Sequence, residues 1–470
     1  MNDSLSDSSS LFPLPLTAFE QFMVADDTPA YPMTFFIEIG VTGSLNKAAF
    51  ESACQTARDR HPLLAANIRS RWGRWRWVPT SDSAIVSWHK SPTGMPSNAD
   101  RHIDLRDECG LRISTEYHPD FSRIVFQFHH ASTDGIGAIQ FIGDVLAAYG
   151  CATAASDAEQ PQFANLDAAS LRLRGERWEK GKEPPRVLRR WFFRLIEVLG
   201  AIPCSIRRRT RLIDDMSRNE LLFLTRFLER NEVKALNAEA ARRNVTANEL
   251  LTLAMFQTLH EWNRHHDRNG ARDVFRIVMP ASVRTPEHQD CPAANVLSYI
   301  LLTRRGRDIV DGKSLMNYVA SESRQGLNGR ETGLVLLSME AACVIPGLLR
   351  LLLRLPVRFA TSILANVGDV KRQLRNQFPL HRGKCVAGNV TLDYLVGAAP
   401  VRKGTHVATS VGKYAGRFII NLNCDPDFFS RDEANEFAES YFNHLRALFA
   451  GSAPNLPAQH KAEGTSVGQV

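Results

Sequence analysis

The sequence predicts an α/β (α+β) protein of two lobes, each a mixed sheet with flanking helices, meeting at a cleft. Three observations carry this expectation. Apolar runs of period two are interspersed with amphipathic runs of period 3.6 in both halves of the chain, which places strands and helices side by side. The 470 residues, 44% hydrophobic and 23% charged, have the composition of an ordinary globular protein and the length for two or three sizeable cores. A strongly basic stretch near the middle then separates the two halves.

The first ten residues are polar and lack a basic segment followed by an apolar core. Residues 1–13 are therefore read as a disordered lead-in and not as a signal peptide. The N-terminal lobe spans 14–171. Residues 16–24 read as a short helix, and 33–41 as a strand in which Phe35, Ile37, Ile39 and Val41 alternate. Residues 46–60 read as a helix with Ala49, Phe50, Ala53, Cys54 and Ala57 along one stripe, closed by His61, Pro62, Leu63 and Leu64. Arg74, Trp75, Arg76 and Trp77 follow Gly73 as the two faces of a hairpin, a simpler account of Arg-aromatic alternation than nucleic-acid binding.

Residues 172–215 form a basic connector. Positions 172–211 carry thirteen Lys or Arg against four Glu, a local charge of +9 in a chain whose total is +7. Arg186, Arg190 and Arg194 recur there among apolar residues. A second stretch, 345–365, repeats the design with Arg350, Arg354 and Arg358, and Pro356 bends or splits its helix. Such segments lie on anionic membrane, cover a hydrophobic substrate channel, or pack on the protein body with the arginines outward. All three readings stay open.

The C-terminal lobe spans 216–450. It begins with a strand at 220–228 and a helix at 231–243, followed by a long helix through Trp262 that Thr246 and Glu249 open as a capping box. The pair His265 and His266 with Asp267 lies in a polar loop context without a preceding strand, and is read as chemically idle. A strand at 275–280 leads to Arg284. Asn295 precedes a strand at 296–302, Gly388 and Asn389 mark a turn, and 418–423 is a strand. Ser430 and Glu433 cap a final helix, and 451–470 is a flexible tail. No run of eighteen uncharged apolar residues is present. The eight cysteines show no C-x-x-C pair or metal-ligand spacing, so reduced thiols, a cytoplasmic setting and no bound metal are expected.

One stretch carries chemistry: RIVFQFHHASTDG, residues 123–135, followed by a helical run. Strand alternation puts Ile124, Phe126, Phe128 and His130 on one face, and Val125, Gln127 and His129 on the other. Apolar surroundings disfavour imidazolium, so His130 is expected to be neutral near pH 7 and suited to general base work at an accessible strand end. Any one of these residues alone is more often structural. Two histidines, three spacers and Asp-Gly between a strand and a helix form a far rarer combination.

HHASTDG resembles the His-His-x-x-x-Asp-Gly motif of the thioester-dependent acyltransferase superfamily. That superfamily includes chloramphenicol acetyltransferase, condensation domains of peptide synthetases, plant acyltransferases, and polyketide-associated and wax ester acyltransferases. The run from Asn46 through RHPLL, and the strand leading through Pro280 and Arg284 to Asn295, are similar to further segments of it, so the resemblance covers roughly 14–450. It implies two chloramphenicol-acetyltransferase-like lobes with His130 as catalytic base, His129 in support, and Gly135 beside a pantetheine tunnel. The resemblance makes Asp134 a structural partner of Arg284 and Asn295 a substrate-side residue, while Ser298 and Asn389 are this sequence's own candidates for a substrate-side oxyanion donor. It also implies an acyl-CoA or acyl-phosphopantetheine cosubstrate, no permanently bound cofactor, and a hydrophobic alcohol or amine acceptor. The donor is carried by CoA or an acyl carrier protein. Plant members carry Asp-Phe-Gly-Trp-Gly in the second lobe, whereas the last Trp here is Trp262, so plant-type donor contacts do not transfer. With no attached carrier domain, a free-standing enzyme, cytoplasmic or membrane-peripheral, is expected. A catalytically silent binding protein and a thioester or ester hydrolase are the alternatives. No nucleic-acid module accompanies the basic connector.

Overall fold

The computed structural model describes residues 11–71, 74–80, 86–90, 101–156, 158–175, 206, 222–266, 273–327, 330–345, 347–354 and 359–450. The first half runs β1 (Leu14–Pro15), α1 (Ala18–Asp26), β2 (Thr34–Thr42), α2 (Lys47–Arg60), β3 (Ala66–Arg71), β4 (Arg74–Pro79), β5 (Val86–His89), β6 (Leu111–Tyr117), β7 (Phe121–His129) and α3 (Gly135–Thr153). The second half begins with β8 (Leu222–Leu228), α4 (Arg230–Arg242), α5 (Ala247–His266), β9 (Val274–Ser282), β10 (Leu297–Arg305), α6 (Gly312–Leu327), α7 (Arg330–Val344) and α8 (Leu348–Arg354). It continues with β11 (Ser362–Asp369), α9 (Val370–Gln373), β12 (Leu380–His381), β13 (Lys384–Ala387), β14 (Val390–Ala398), β15 (Val407–Tyr414), β16 (Arg417–Cys424) and α10 (Arg431–Phe449).

Local chemistry explains most boundaries. Asn46 accepts a hydrogen bond from the Ala49 N–H and starts α2. Thr246 with Glu249, and Ser430 with Glu433, exchange reciprocal hydrogen bonds that satisfy free N–H groups at the starts of α5 and α10. The Arg-Trp run forms the β3–β4 pair, with Trp77 opposite Ile68 and fully buried.

Two mixed sheets carry the lobes, in the orders β12-β13-β14-β2-β7-β6-β5 and β10-β9-β11-β15-β16-β8. Pairing is antiparallel except at β5–β6, β11–β15 and β11–β9. Helices α2 and α3 pack one apolar face of the seven-stranded sheet, and α5 and α10 pack the six-stranded one. A third cluster lies under the small β1-β4-β3 sheet, around α1 and the outer face of β10. α3 is apolar and long enough to cross a membrane, but it is a core helix, largely buried in its lobe.

Three expectations change. The lobe boundary drawn at residue 216 does not hold in space, because β12–β14 come from the second half of the chain and complete the first sheet. β14 covers the free edge of β2 along Leu392↔Val41, Leu395↔Ile39 and Ala398↔Phe36, and edge pairing is a choice of partner that no local pattern records. Among the described residues of the helix expected over 345–365, Leu348–Arg354 is helical, while 362–365 begin β11, since a short apolar run satisfies either period. The basic connector is not uniformly a surface segment either. Arg174 is buried and paired with Glu20 at 2.7 Å, whose other oxygen accepts from the Trp77 indole at 3.0 Å. Residues 176–205 and 207–215, with Arg186, Arg190 and Arg194, lie outside the described residues, as do Arg358 and Asp267.

Candidate active site

β7 delivers both histidines to the edge of the N-terminal core. The ladder with β2 ends at Thr34↔His129, but the His130 N–H still reaches the Met33 carbonyl at 2.7 Å, so the strand alternation extends one residue into the turn. The His130 ring lies 5.1 Å from that of Phe35 and 6.4 Å from that of Phe19. Burial lowers its pKa below the ordinary histidine value. Its own carbonyl, the Asp134 charge and Asn295 push the other way without reversing the shift, so the neutral ring is favoured.

His129 turns the other way. Its Nδ1 accepts the Ala131 N–H at 3.0 Å, which leaves the proton on Nε2, 3.7 Å from Asp27 Oδ2. Asp27 also meets His102 Nε2 at 2.9 Å and accepts the Met33 N–H at 2.7 Å. Burial pushes the Asp27 carboxyl up, and these partners bring it below the usual carboxylate value. His129 is thereby anchored, while His130 is left with a buried Nδ1 that has no hydrogen bond of good geometry.

The turn after the histidines is held by one carboxylate. Asp134 is the N-cap of α3 and accepts from the Gly137 N–H at 2.8 Å. It also accepts from the Val296 N–H at 3.0 Å, and Arg284 grips it with both guanidinium nitrogens at 2.8 and 2.9 Å. Burial pushes the Asp134 carboxyl up, but Arg284 and the two N–H donors hold it below the usual range. Asn295 completes the clamp by donating to the carbonyls of His130 at 2.6 Å and Ala131 at 2.8 Å. Residues from the second half of the chain thus set the position of a turn in the first.

His130 lines a narrow cavity of about 170 Å³ between the two large sheets, with Phe35, Gly135, Arg284, Ser410 and Asn421 also on its wall. Gly135 suits that position because a Cβ would come within 3.3 Å of Val367. His129 instead lines a second cavity of about 1200 Å³, bounded by α1, β10, α7 and α8. Phe19 stands between them, its ring 6.4 Å from His130 and 5.4 Å from Tyr299 on the wall of the larger cavity.

Ser298 and Asn389 do not belong to this arrangement. Alternation along β10 puts Leu297 on the narrow cavity and turns Ser298 to α7, where it donates to the Thr332 carbonyl at 2.7 Å. Asn389 sits exposed in the β13–β14 turn beside Gly388, whose φ of 58° suits glycine. There it bonds Tyr149 at 2.8 Å and the Ser44 carbonyl at 2.6 Å. His266 stacks on Trp262 at 4.4 Å and bonds its carbonyl, away from the cleft. Sequence reasoning missed Asp27, His102, Phe19 and Tyr299, because each acts through contacts that carry no local signal. It also passed over His61, which links Asp144 at 3.2 Å to the Ala293 N–H at 2.8 Å and ties α2 and α3 to the segment holding Asn295.

Comparison with known proteins places the fold. No family model matches the chain. Two uncharacterised proteins of Mycobacterium tuberculosis, from strains H37Rv and CDC 1551, are 25% identical to it over 375 residues, covering 76% of this chain and 83% of each relative. Among solved structures it is similar to a mutant of the starter condensation domain of rhizomide synthetase in complex with C8-CoA and Leu-SNAC. There the TM-score is 0.65 and identity 15%, over 96% of this chain and 98% of that one. It is also similar to trichothecene 15-O-acetyltransferase of Fusarium sporotrichioides, with TM-score 0.64 and 12% identity over 92% and 94% of the two chains. The epimerization domain of tyrocidine synthetase B gives 0.63 and 13% over 94% and 98%. The chain therefore has the two-lobed fold of condensation domains and chloramphenicol-acetyltransferase-like enzymes. The last neighbour is an epimerization domain, so the fold alone does not name the reaction.

Proposed function

We propose that this chain, built on the condensation-domain fold, moves an acyl group from a thioester of CoA or of a carrier protein to an alcohol or amine. The observation that carries the reading is His130: a buried imidazole favoured in its neutral form, lining the narrow cavity between the lobes. Its turn is clamped by Asp134, Arg284 and Asn295. One ring nitrogen of His130 takes the acceptor's proton as its oxygen or nitrogen attacks the thioester carbonyl carbon. The tetrahedral intermediate then collapses, the C–S bond breaks, and the imidazolium returns the proton to the departing thiolate. Arg284 and Asp134 do not touch the reacting atoms in this scheme; they hold the turn. The complexes of the rhizomide synthetase neighbour with C8-CoA, and with Leu-SNAC, support an acyl-CoA donor and an amine acceptor as first trials.

The test is acyl transfer from octanoyl-CoA to a panel of amines and long-chain alcohols, followed by product mass spectrometry, for the wild type and His130→Ala. Transfer should fall by about 10²- to 10⁴-fold in the variant, with unchanged circular dichroism. Full transfer by His130→Ala overturns the assignment of the base. Free octanoate as the only product, with acceptor present, makes the protein a hydrolase.

We further propose that the α7–α8 corner contacts membrane or lipid. Val344 and Leu351 are 77% and 60% exposed there, next to the exposed Arg350 and Arg354. Apolar tips beside cations are the pattern of an interfacial helix.

A further inference from the structure

One cluster of buried polar side chains lies outside the acyl-transfer scheme. Asp144 sits midway along α3 and His61 just past the end of α2, at 1% and 0% exposure. A buried carboxylate is costly unless donors surround it, and here three do. Asp144 Oδ2 accepts from Arg60 at 2.5 Å and lies 3.2 Å from His61 Nε2, and Oδ1 accepts from Asn376 at 2.8 Å. Arg60 and Asn376 are fixed in turn on Ala164, by its carbonyl and its N–H, each at 2.6 Å. On its other side His61 Nδ1 accepts the Ala293 N–H at 2.8 Å, which leaves the ring proton on Nε2 toward Asp144. The imidazole is thus a rigid link between a fixed carboxylate and one backbone N–H.

That N–H belongs to a segment in need of a link. Residues 291–296 lie in no helix or strand, so side-chain tethers do much of the work of placing them. They nevertheless supply the clamp on the His130 turn. Asn295 donates to the His130 and Ala131 carbonyls, the Val296 N–H donates to Asp134, and the Ala294 carbonyl accepts from Arg284 at 3.2 Å. From the α2–α3 side the segment is held twice, by His61 on Ala293 and by Gln140, whose amide donates to the Cys291 carbonyl at 3.0 Å. The fit is close. A Cβ on Gly137 would lie 3.0 Å from the Ala294 nitrogen and 3.1 Å from the Ala293 Cα.

We infer that His61, oriented by Asp144 and assisted by Gln140, is a positioning residue for the reaction. It sets the place of residues 293–296, and through Asn295 and Val296 the place of the turn that presents His130. His61 touches no reacting atom. The inference deepens the acyl-transfer reading and rests on it for the reaction served.

The experiment removes the two functions of the ring one at a time. His61→Asn leaves an oxygen near the place of Nδ1 and keeps an acceptor for the Ala293 N–H, whereas His61→Gln leaves an N–H near the place of Nε2 and keeps the donor to Asp144. Each variant loses one buried hydrogen bond, so both should lower the urea midpoint, and stability does not tell them apart. Transfer from octanoyl-CoA does. In His61→Gln kcat should fall about tenfold or more at unchanged KM, while His61→Asn stays within about threefold of the wild type. Amide hydrogen exchange read by mass spectrometry needs no substrate. Exchange should quicken over residues 291–296 and over the turn at 130–137 in His61→Gln, and over neither in His61→Asn. If His61→Gln does not fold, Gln140→Met removes the companion tether and is held to the same two results. Equal kcat in the two His61 variants, wild-type kcat in His61→Gln, or unchanged exchange at its turn overturns the inference. Absence of transfer in the wild type refutes the acyl-transfer reading instead, and exchange at the turn then decides by itself whether His61 holds it.

Discussion

The division of labour between the two adjacent histidines follows from one step of backbone alternation. His129 meets Asp27 and is fixed; His130 faces the narrow cavity and is poor in partners. Burial lowers the His130 pKa, so the acid limb of kcat/KM should fall below the ordinary histidine value of about 6.5, with loss of activity as pH drops through it. An acid limb well above that value in a pH–rate profile would contradict a buried neutral base. Asp134 behaves in the opposite chemical sense. Its folded carboxyl is held below its ordinary value, so its contribution to stability is complete above that value and is lost as pH falls through the depressed one. Removing its partner leaves a buried, unpaired charge, so Arg284→Ala should cost about 3–5 kcal/mol in urea unfolding at pH 7. Arg284→Lys should recover only part, because a point charge cannot reproduce the two-pronged contact.

At the scale of elements, α3 is the hinge pin between the turn and the rest of the molecule. Asp134 caps it, and Asp144 one face further on bonds Asn376 at 2.8 Å and Arg60 at 2.5 Å. The helix approaches the 374–376 segment so closely that a Cβ on Gly143 would lie 2.4 Å from the Leu374 carbonyl oxygen. That neighbour is backbone and cannot swing aside. Gly143→Ala should therefore destabilise the protein by about 1–3 kcal/mol despite the better helix propensity of alanine, measurable by thermal unfolding. An unchanged or raised melting temperature would show that the segment yields.

On the scale of the whole molecule, the two lobes are interlocked and not simply docked. β14 returns from the second half to pair with β2, while Arg284, Asn295 and Val296 hold the turn of the first half. The active-site geometry is then a property of both lobes together. The α7–α8 corner exposes Val344, Ile345 and Leu351, and it borders the larger cavity. Flotation with phosphatidylcholine vesicles containing phosphatidylglycerol should carry the protein upward at low salt. Val344→Asp/Leu351→Asp should reduce the floated fraction even though the basic connector is unchanged. No flotation on anionic vesicles, or flotation indifferent to those substitutions, would remove the corner as a membrane contact.

The sequence by itself determined what depends on neighbours a few residues away. It marked the capping boxes at Thr246 and Ser430, the period-two runs of β2 and β7, and the parity that separates His130 from His129, because each is written in spacing. The Asp134–Arg284 pair spans 150 residues and was legible only through resemblance to a known motif. Tertiary structure alone decided that β14 closes the first sheet, that Ser298 faces α7, and that Asn389 sits in a distant turn. It also decided that Asp27 and His102 back His129 while Phe19 divides two cavities. Edge pairing, strand facing across a sheet and cavity shape are set by which distant surfaces bury each other, and a linear pattern holds no record of that choice.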